Sequence, residues 1–438
     1  MTLHTDPAYN GYHIQTPSAF NPSLLNGNGT VGNKARKKRI ILTCNYSPWS
    51  LYSGGGQRST HYLATYMAQK GHDVHVIYSK SPFESVLLPD HLNYHVHWAT
   101  LYRHRSNRKS FFRPLTAFSV NRLVKKLSEN SKYPVIVHAN GEEASLLYRI
   151  RNSLDFGFIA TPRYSFYPKE LSQWNRLTLM QKIKFFLLNW KYIELGRVLR
   201  EADRICPPSQ WASGEISRVY RIDPQKIIPV PNGIPQEFLQ YQNDPNSDGD
   251  IVFFGRLSHD KGVDLLLRAY KKLDSPKPFL TIIGEGEEKE KLAGLSMDLG
   301  ITHNVRFLPW LSHHELGQLL SKSRICVLPS RDENYSLAIL SALCVSVPTI
   351  STRVGGTPEI IKDGETGLLV QYNDIESLTE AMRNFLANPF KAEEMGRNGS
   401  VDVRNSKTWA STCEKFDAIY DEVLELSVNS SHVFSAKR

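Results

Sequence analysis

The chain has 438 residues, 41% of them hydrophobic, and a formal net charge of +10. Because one hydrophobic core rarely serves more than about 250–300 residues, this length predicts two domains. The positive charge suits phosphorylated ligands or an anionic membrane surface, but no nucleic-acid-binding signature accompanies it, so we expect no nucleic-acid partner. No apolar run reaches the roughly 18 residues of a membrane-spanning helix.

The five cysteines are scattered along the chain without the spacing of a metal site, and we therefore expect no metal. Together with the lack of a signal peptide, their odd number indicates a reducing compartment, and we expect a cytoplasmic location. Residues 1–36 are rich in Asn, Gly, Pro, Thr and Ser and show no periodicity. We interpret them as a disordered leader.

The first regular unit begins with a buried-strand pattern over residues 39–45. A glycine run that includes Gly55 and Gly56 follows it, then a helix that runs to residue 70 and a second strand over 74–78. This order is typical of a phosphate-binding βαβ unit. The glycines lack the G-x-G-x-x-G spacing, so a dinucleotide is disfavoured.

Two basic segments admit two interpretations each. Residues 101–113 mix five Arg or Lys with three aromatic residues. They form either a solvated loop or a membrane-facing lip, where cations meet anionic headgroups and aromatics enter the interface. Residues 176–204 follow helical spacing with interleaved cations, which predicts a helix that covers a sheet. A helix lying on the membrane surface is the alternative.

A strand over residues 134–138 ends in His138, and Asn140 follows two positions later. His138 either caps the strand or belongs to a functional site at its end, and Asn140 is able to form hydrogen bonds there but cannot hold a proton near neutral pH. A short strand over 226–230 and a turn over 231–234 then lead into the second half.

The second half repeats the alternation of strands and helices. A strand over 250–254 precedes the segment GRLSHDKG, which contains Arg256 and Lys261 and opens a helix. A strand over 304–308 ends just before Trp310 and Leu311. Residues 324–370 predict a strand, a polar loop around Glu333, a short apolar helix, another strand, a glycine-rich turn that starts a helix, and a hairpin.

The segments GRLSHDKG and 324–370 resemble the donor-binding part of retaining glycosyltransferases of family 4. The family pattern has a Glu, an aromatic residue and a Gly, with a second Glu eight positions after the first. Glu333 and Tyr335 match this pattern, whereas Ser336 stands in place of the Gly and Ser341 in place of the second Glu. The segments VGG, PE and DGETGLLV that follow also match.

This resemblance implies the α/β fold named GT-B, in which two Rossmann-like, doubly wound parallel-sheet domains face a cleft. We expect an N-terminal acceptor-side domain over 37–231 and a donor-binding domain over 232–405. A terminal helix over 406–430 is expected to cross back to the first domain.

The resemblance also implies roles for individual residues. The Arg and Lys are expected to neutralise the donor diphosphate, and the Glu to orient the transferred sugar. The expected catalytic residues are Arg256, Lys261 and Glu333. The expected donor-binding residues are Gly55, Gly56, Trp310, Leu311, Asn334, Tyr335, Ser336, Leu337 and Ser341. The acceptor or sugar candidates are His138 and Asn140.

The predicted activity is retaining transfer of a sugar from a nucleotide diphosphate sugar to a glycan or lipid-linked acceptor. No cofactor is expected, and a peripheral attachment to an anionic membrane surface is a further hypothesis. Two alternatives stay open. Ser336, Ser341 and Asn140 motivate a non-catalytic GT-B protein that binds a sugar, a nucleotide or a partner. An epimerase of nucleotide sugars shares the architecture but requires acid/base carboxylates at the sugar.

Overall fold

The structure, a computed structural model, describes residues 36–50, 54–101, 113–151, 153–163, 178–180, 190–244 and 248–435. Nearly all of the predicted leader, the basic run over 102–112 and much of the stretch 176–204 lie outside these residues. What the sequence predicts for those segments stays a prediction.

The N-terminal half is built on a parallel sheet whose strands come from short buried apolar runs. Within the described residues this sheet has six strands in the order β3-β2-β1-β4-β5-β6, all paired in parallel. Its strands are β1 (Arg39–Asn45), β2 (Asp73–Lys80), β3 (His95–Thr100), β4 (Val135–Ala139), β5 (Gly157–Ala160) and β6 (Arg204–Ile205).

The C-terminal half repeats this architecture. Its described part has six parallel strands in the order β12-β11-β10-β7-β8-β9. They are β7 (Ile251–Phe254), β8 (Leu280–Ile283), β9 (Val305–Leu308), β10 (Ile325–Leu328), β11 (Thr349–Thr352) and β12 (Leu368–Val370). The predicted fold class, two doubly wound parallel sheets, is confirmed.

Helices connect the strands and cover both sheets. In the described residues they are α1 (Gly55–Gln69), α2 (Arg113–Glu129), α3 (Tyr148–Arg151), α4 (Trp190–Glu201), α5 (Gln210–Tyr220), α6 (Val263–Lys271), α7 (Lys289–Asp298), α8 (His313–Leu320), α9 (Leu337–Cys344), α10 (Ile375–Ala387), α11 (Pro389–Ser406) and α12 (Trp409–Ser435). None of these described helices is long and apolar enough to cross a membrane.

The strand order places the topological switch point of each sheet between its two central strands. In the first sheet the chain reverses direction across the sheet between β1 and β4, and in the second between β7 and β10. In open α/β sheets ligands bind beyond the carboxyl ends of the strands at this point. The expected site residues Gly55, Asn140, Arg256 and Glu333 follow β1, β4, β7 and β10 respectively.

The long helix α12 returns to the first half and packs on its sheet. Trp409, Phe416 and Tyr420 are buried in the same hydrophobic cluster as residues of β1 and β2. An ion pair joins Lys38, just before β1, to Asp417 at 2.7 Å, and the Lys38 side chain is fully buried. Burial of this apolar stripe holds the terminal helix on the N-terminal half. The predicted domain boundaries themselves stay a prediction.

Three local predictions are wrong. Residues 226–230 form a single bridge from Ile227 to Ile205 rather than a strand, because Pro229 and Pro231 lack the N–H that a ladder requires. Residues 363–367 make a tight turn, but β12 then pairs in parallel with β11, so no hairpin forms. After the glycine pair, the chain makes only a 3-10 turn over Thr357–Glu359.

Candidate active site

The turn between β7 and α6 presents Arg256 and Lys261 at the end of the sheet. Gly262 ends this turn with a φ of 67°, and a β-carbon there would lie only 2.0 Å from the Pro329 carbonyl oxygen. Only glycine fits both the left-handed backbone and this close approach. Arg331 then fixes the start of α6, because its two terminal nitrogens each lie 2.6 Å from the Asp264 carboxylate.

Lys261 points from this turn to Glu333 in the loop after β10. Its Nζ donates a hydrogen bond of 2.7 Å to Glu333 Oε2, and both side chains are largely buried. Burial opposes the ammonium charge, but the carboxylates of Glu333 and Asp260 outweigh it and raise the pKa of Lys261. Lys261 therefore stays positively charged beside a carboxylate at the mouth of the cleft.

Two glycines let the Glu333 loop approach the turn after β11. Gly355 has a φ of 53°, and a β-carbon on it would lie 1.7 Å from the Glu333 carbonyl oxygen. The amide of Gly356 donates a 3.2 Å hydrogen bond to that same oxygen. The next residues lead into α9, whose first turn is capped by the Ser336 hydroxyl, which accepts a hydrogen bond from Ile339 N. The close contacts of its carbonyl oxygen with Gly355 and Gly356 thus fix the position of the Glu333 backbone.

The glycine run of the first half faces this site across the cleft. A β-carbon on Gly54 would lie 3.3 Å from Arg256 Nη2, and one on Gly55 would lie 3.4 Å from the Leu337 side chain. Gln57 closes the start of α1, because it accepts a hydrogen bond from Gly54 N and donates one to the Asn45 carbonyl. The first turn of α1 and the Arg256 side chain therefore line the same crevice.

A third cation, missed by the sequence analysis, lies beside this crevice. Arg163 follows β5, and its Nε donates a 3.0 Å hydrogen bond to Asn140 Oδ1. The same guanidinium also donates to Asn232, whose own amide nitrogen donates to the Tyr335 carbonyl at 3.4 Å. Burial lowers the pKa of Arg163 to about 10, which leaves it charged at neutral pH. A cation directly after a buried strand at the cleft edge is the signal that would have found it.

The start of α5 forms another contact between the two halves. The carboxylate of Glu359 accepts hydrogen bonds from the amides of Gln210 and Trp211, at 2.8 and 2.9 Å. Ser209 Oγ, just before them, donates to Asn334 Oδ1 at 3.1 Å. A carboxylate from the C-terminal half thus satisfies the free amides of an N-terminal helix. Sequence patterns missed this contact because its partners are distant in the chain.

Most of the expected donor-binding residues surround the crevice. The residues already described that line the crevice, or contact its lining, are Gly55, Asn334, Tyr335 and Leu337. Gly56 faces Arg163, whose Cδ would lie 3.5 Å from a β-carbon there. Trp310 follows β9 and is 48% exposed, and its ring lies 3.6 Å from where a β-carbon on Gly284 would be.

Three of the expected residues are engaged elsewhere. His138 is 1% exposed, and its nitrogens bond to Tyr420 at 2.7 Å and Thr161 at 2.6 Å. Burial lowers its pKa to about 3, so it is a neutral core residue under α12 rather than a cleft residue. Ser341 is 4% exposed, and its hydroxyl donates to the Leu337 carbonyl at 2.9 Å. Leu311 packs against the C-terminal core.

Comparisons with known proteins identify the family of this chain. The family model described as glycosyl transferases group 1 matches residues 236–402, and that described as Glycosyltransferase Family 4 matches residues 53–238. The chain belongs to the family 4 glycosyltransferases. Its two family segments are the two halves that face each other across the crevice.

Curated family 4 relatives match this chain only in part. A D-inositol 3-phosphate glycosyltransferase of Corynebacterium diphtheriae is 30% identical over 256 residues, which cover 54% of this chain and 60% of that protein. A glycogen synthase of Mycobacterium tuberculosis is 26% identical over 227 residues, covering 51% and 55% of the two chains. The match thus spans less than two thirds of the length of these relatives.

Solved structures match over nearly the whole fold. Sucrose-phosphate synthase from Thermosynechococcus elongatus superimposes with a TM-score of 0.74 at 19% identity, covering 89% of this chain and 100% of that one. HepE of Anabaena in complex with UDP-glucose gives 0.65 at 15% identity, covering 88% and 99%. At these identities the likeness establishes a shared fold and nothing finer.

Proposed function

We propose that this protein transfers a sugar from a nucleotide diphosphate sugar to a glycan or lipid-linked acceptor, with retention at the anomeric carbon. The pairing of Lys261 with Glu333, at the switch point of the second sheet, is the observation that carries this function. Arg256, from the same turn as Lys261, faces the glycine run of the first half. Cations and a carboxylate thus meet in the crevice between the two sheets. The cations suit the negative charge of a diphosphate, and the carboxylate suits the hydroxyl groups of a sugar, from which it accepts hydrogen bonds.

The diphosphate would lie between Arg256, Lys261 and the first turn of α1. Two cations and the free amides of a helix start favour two phosphates. Negative charge grows on the nucleotide as the sugar–phosphate bond breaks, so the same groups stabilise the transition state more than the bound donor. Glu333 would accept hydrogen bonds from the sugar hydroxyls. The acceptor would attack from the side of the leaving group, with the departing phosphate as its base.

The protein supplies the positive charge for this reaction itself, and we propose that no cofactor takes part. Lys261 remains charged because the carboxylates beside it raise its pKa. Complexes of the Anabaena neighbour contain UDP and UDP-glucose, which supports a nucleotide sugar as the donor here. Transfer that survives EDTA would agree with this proposal, and transfer restored only by a divalent ion would contradict it.

A lipid-linked acceptor and a peripheral position on the cytoplasmic face of a membrane extend the same proposal. The loop after β2 leaves the sheet at the edge that faces the crevice and exposes Phe83 by 98% and Leu87 by 89%. On α2, Phe118 is 58% exposed. Phe118 follows the basic run 101–113 in the sequence, and exposed apolar side chains combined with cations favour an interface with anionic lipid. Co-sedimentation with anionic liposomes at low salt tests this extension, and its absence would remove it.

A non-catalytic binding protein is the second candidate, and Ser341 favours it. The hydroxyl of Ser341 is buried and already donates to its own helix, so it offers little to a ribose. A carboxylate at that position would accept two strong bonds from ribose hydroxyls. A pure binder would show neither transfer nor hydrolysis of any nucleotide sugar, and release of free nucleotide would exclude it.

The proposed activity is tested in two steps. A thermal-shift panel of nucleotide sugars identifies the donor, because a ligand that binds the native state raises its melting temperature. Transfer of the radiolabelled sugar to glycan and lipid acceptors then measures the reaction. We expect Lys261→Ala and Glu333→Ala each to raise the barrier by about 2–4 kcal/mol, the effect of losing one preorganised group. Lys125→Ala, which removes an exposed cation of α2, is the matched control.

A further inference from the structure

A cluster of one carboxylate and three imidazoles lies at the amino ends of β2 and β3, opposite the edge that faces the crevice. His75 and His95 are register partners in the parallel pair of β2 and β3. Asp73 lies two residues before His75 and so on the same face of β2. Side-chain ligand atoms of Asp73, His75 and His95 all lie within 4.8 Å of one another.

The Nε2 atom of His75 is the central feature of this cluster. His75 is 9% exposed, and this nitrogen has no hydrogen-bond partner among the described residues. It lies 3.2 Å from Asp73 Oδ1, close enough to share a cation but without a hydrogen bond. A buried polar atom left in this way costs free energy unless something binds it.

The neighbours of His75 orient it as they would a metal ligand. Its Nδ1 lies 2.9 Å from His97 Nε2, so one ring donates to the other. When His75 donates, its Nε2 presents a lone pair to the Asp73 carboxylate, and two acceptors face each other. Metal-bound imidazoles typically use their second nitrogen in such a hydrogen bond, which fixes the tautomer.

The two oxygens of the Asp73 carboxylate face different neighbours. Arg39 holds its Oδ2 through two nitrogens, at 2.7 and 2.6 Å, which leaves Oδ1 directed to His75. His95 is exposed, and its ring stacks on that of His75 with centroids 4.8 Å apart. The positive charges of Arg39 and Lys126 oppose a cation here, so we expect weaker binding than at a closed structural site.

We propose that Asp73, His75 and His95 bind one zinc ion, with solvent completing its coordination. Two imidazoles and a carboxylate are ligands that zinc prefers, and three protein ligands leave one position open. The ion would join the edge strand β3 to β2. Sequence spacing missed this site because its ligands come from two strands joined by a long loop.

Titration of the full-length, tag-free chain with zinc chloride by calorimetry, after removal of metals with EDTA, tests this site. We expect one ion per chain, and at least a tenfold loss of affinity in His95→Ala, whose exposed side chain is removable without disturbing the core. His91→Ala removes another exposed histidine, which precedes His95 in the same stretch of sequence, and should bind as the wild type does. Cobalt(II) in place of zinc should give a visible spectrum that disappears in His95→Ala. Absence of saturable binding, or equal affinity in wild type and His95→Ala, would overturn the proposal.

Discussion

Lys261 Nζ lies 2.7 Å from Glu333 Oε2, although the two residues come from loops that follow different strands of the same sheet. Without a donor, the ammonium is paired with the carboxylate that we assign to the sugar. A diphosphate must therefore share this ammonium with Glu333 when it binds. The two side chains should consequently respond differently to a nucleotide that carries no sugar.

Binding of the nucleoside diphosphate should separate the roles of these two residues. Lys261→Ala should weaken it about tenfold to a hundredfold, because a hydrogen bond to a charged group contributes about 1.5–3 kcal/mol. Glu333→Ala should bind it at least as well as the wild type, since it releases Lys261 and removes a nearby negative charge. Calorimetric titration measures both affinities. An equal loss in the two variants would contradict the assigned roles.

Substitution of Gly262 should destabilise the donor-binding half through steric overlap with Pro329. Gly262 and Gly364 both have a positive φ, at 67° and 78°, but only Gly262 has an atom within 4 Å of an added β-carbon. Gly364→Ala should therefore lower the free energy of unfolding by only about 1–2 kcal/mol, the strain of placing alanine in a left-handed backbone conformation. Gly262→Ala should cost about 1–3 kcal/mol more, as for overpacking. Urea unfolding measures both, and equal losses would show that the close approach is relieved without cost.

Asp417 should make the stability of the native state, in which α12 packs on the N-terminal half, fall at low pH. Burial alone would raise its pKa, but contacts with His72, Lys38 and Lys70 outweigh burial and lower the pKa below its usual range. A carboxylate whose pKa is lower in the native than in the unfolded state stabilises the native state at pH values above the unfolded pKa of about 3.9. This contribution is lost as the pH falls from there through the native pKa. Asp417→Asn should cost about 3–5 kcal/mol at pH 7, because it leaves Lys38 buried without its closest partner.

The difference between Asp417→Asn and the wild type should shrink as the pH falls below about 4, because the Asp417 carboxylate of the unfolded chain takes up a proton there while the native carboxylate, whose pKa is lower, stays ionised. Glu414→Gln is the control, since Glu414 is an exposed partner of Lys70 and its loss should cost less than about 1 kcal/mol. Urea unfolding between pH 7 and pH 3 gives both values. A pH-independent difference would show that Asp417 acts by shape and not by charge.

Glu143 should have the opposite dependence on pH. Burial, helped by the charge of Glu142, raises the pKa of Glu143 to about 7. A carboxyl group whose pKa is higher in the native than in the unfolded state stabilises the native state fully at pH values below the unfolded pKa of about 4.3. This contribution is lost as the pH rises through the native pKa of about 7. Relative to Glu143→Gln, the wild type should lose about 2–3 kcal/mol of stability between pH 5 and pH 8. Glu129→Gln, an exposed change on α2, should follow the wild type.

Local patterns in the sequence predicted those parts of the fold that depend on neighbours in the chain. Strand β1 occupies the predicted residues 39–45, and the turn from β7 into α6 carries Arg256 and Lys261 as expected. Both features follow from short-range rules for buried strands and helix starts. Strand β3 was not predicted, although His95 and His97 alternate with apolar residues as in a half-buried strand.

Contacts between distant segments were beyond such rules. His138 bonds to Tyr420, 282 residues away, and this pairing decides that it is a core residue. Glu359 caps the helix that begins 149 residues earlier, and Arg163 reaches Asn232 from another loop. These contacts depend on how the two sheets and α12 dock, and the sequence carries no periodic signal for docking.

The most direct test is the structure of this protein with its nucleotide sugar bound. The diphosphate oxygens should lie within hydrogen-bond distance of Arg256 and Lys261, and a hydroxyl of the sugar within that distance of the Glu333 carboxylate. A donor bound at another place, with these three side chains left as they are without ligand, would contradict the proposed site and the activity built on it.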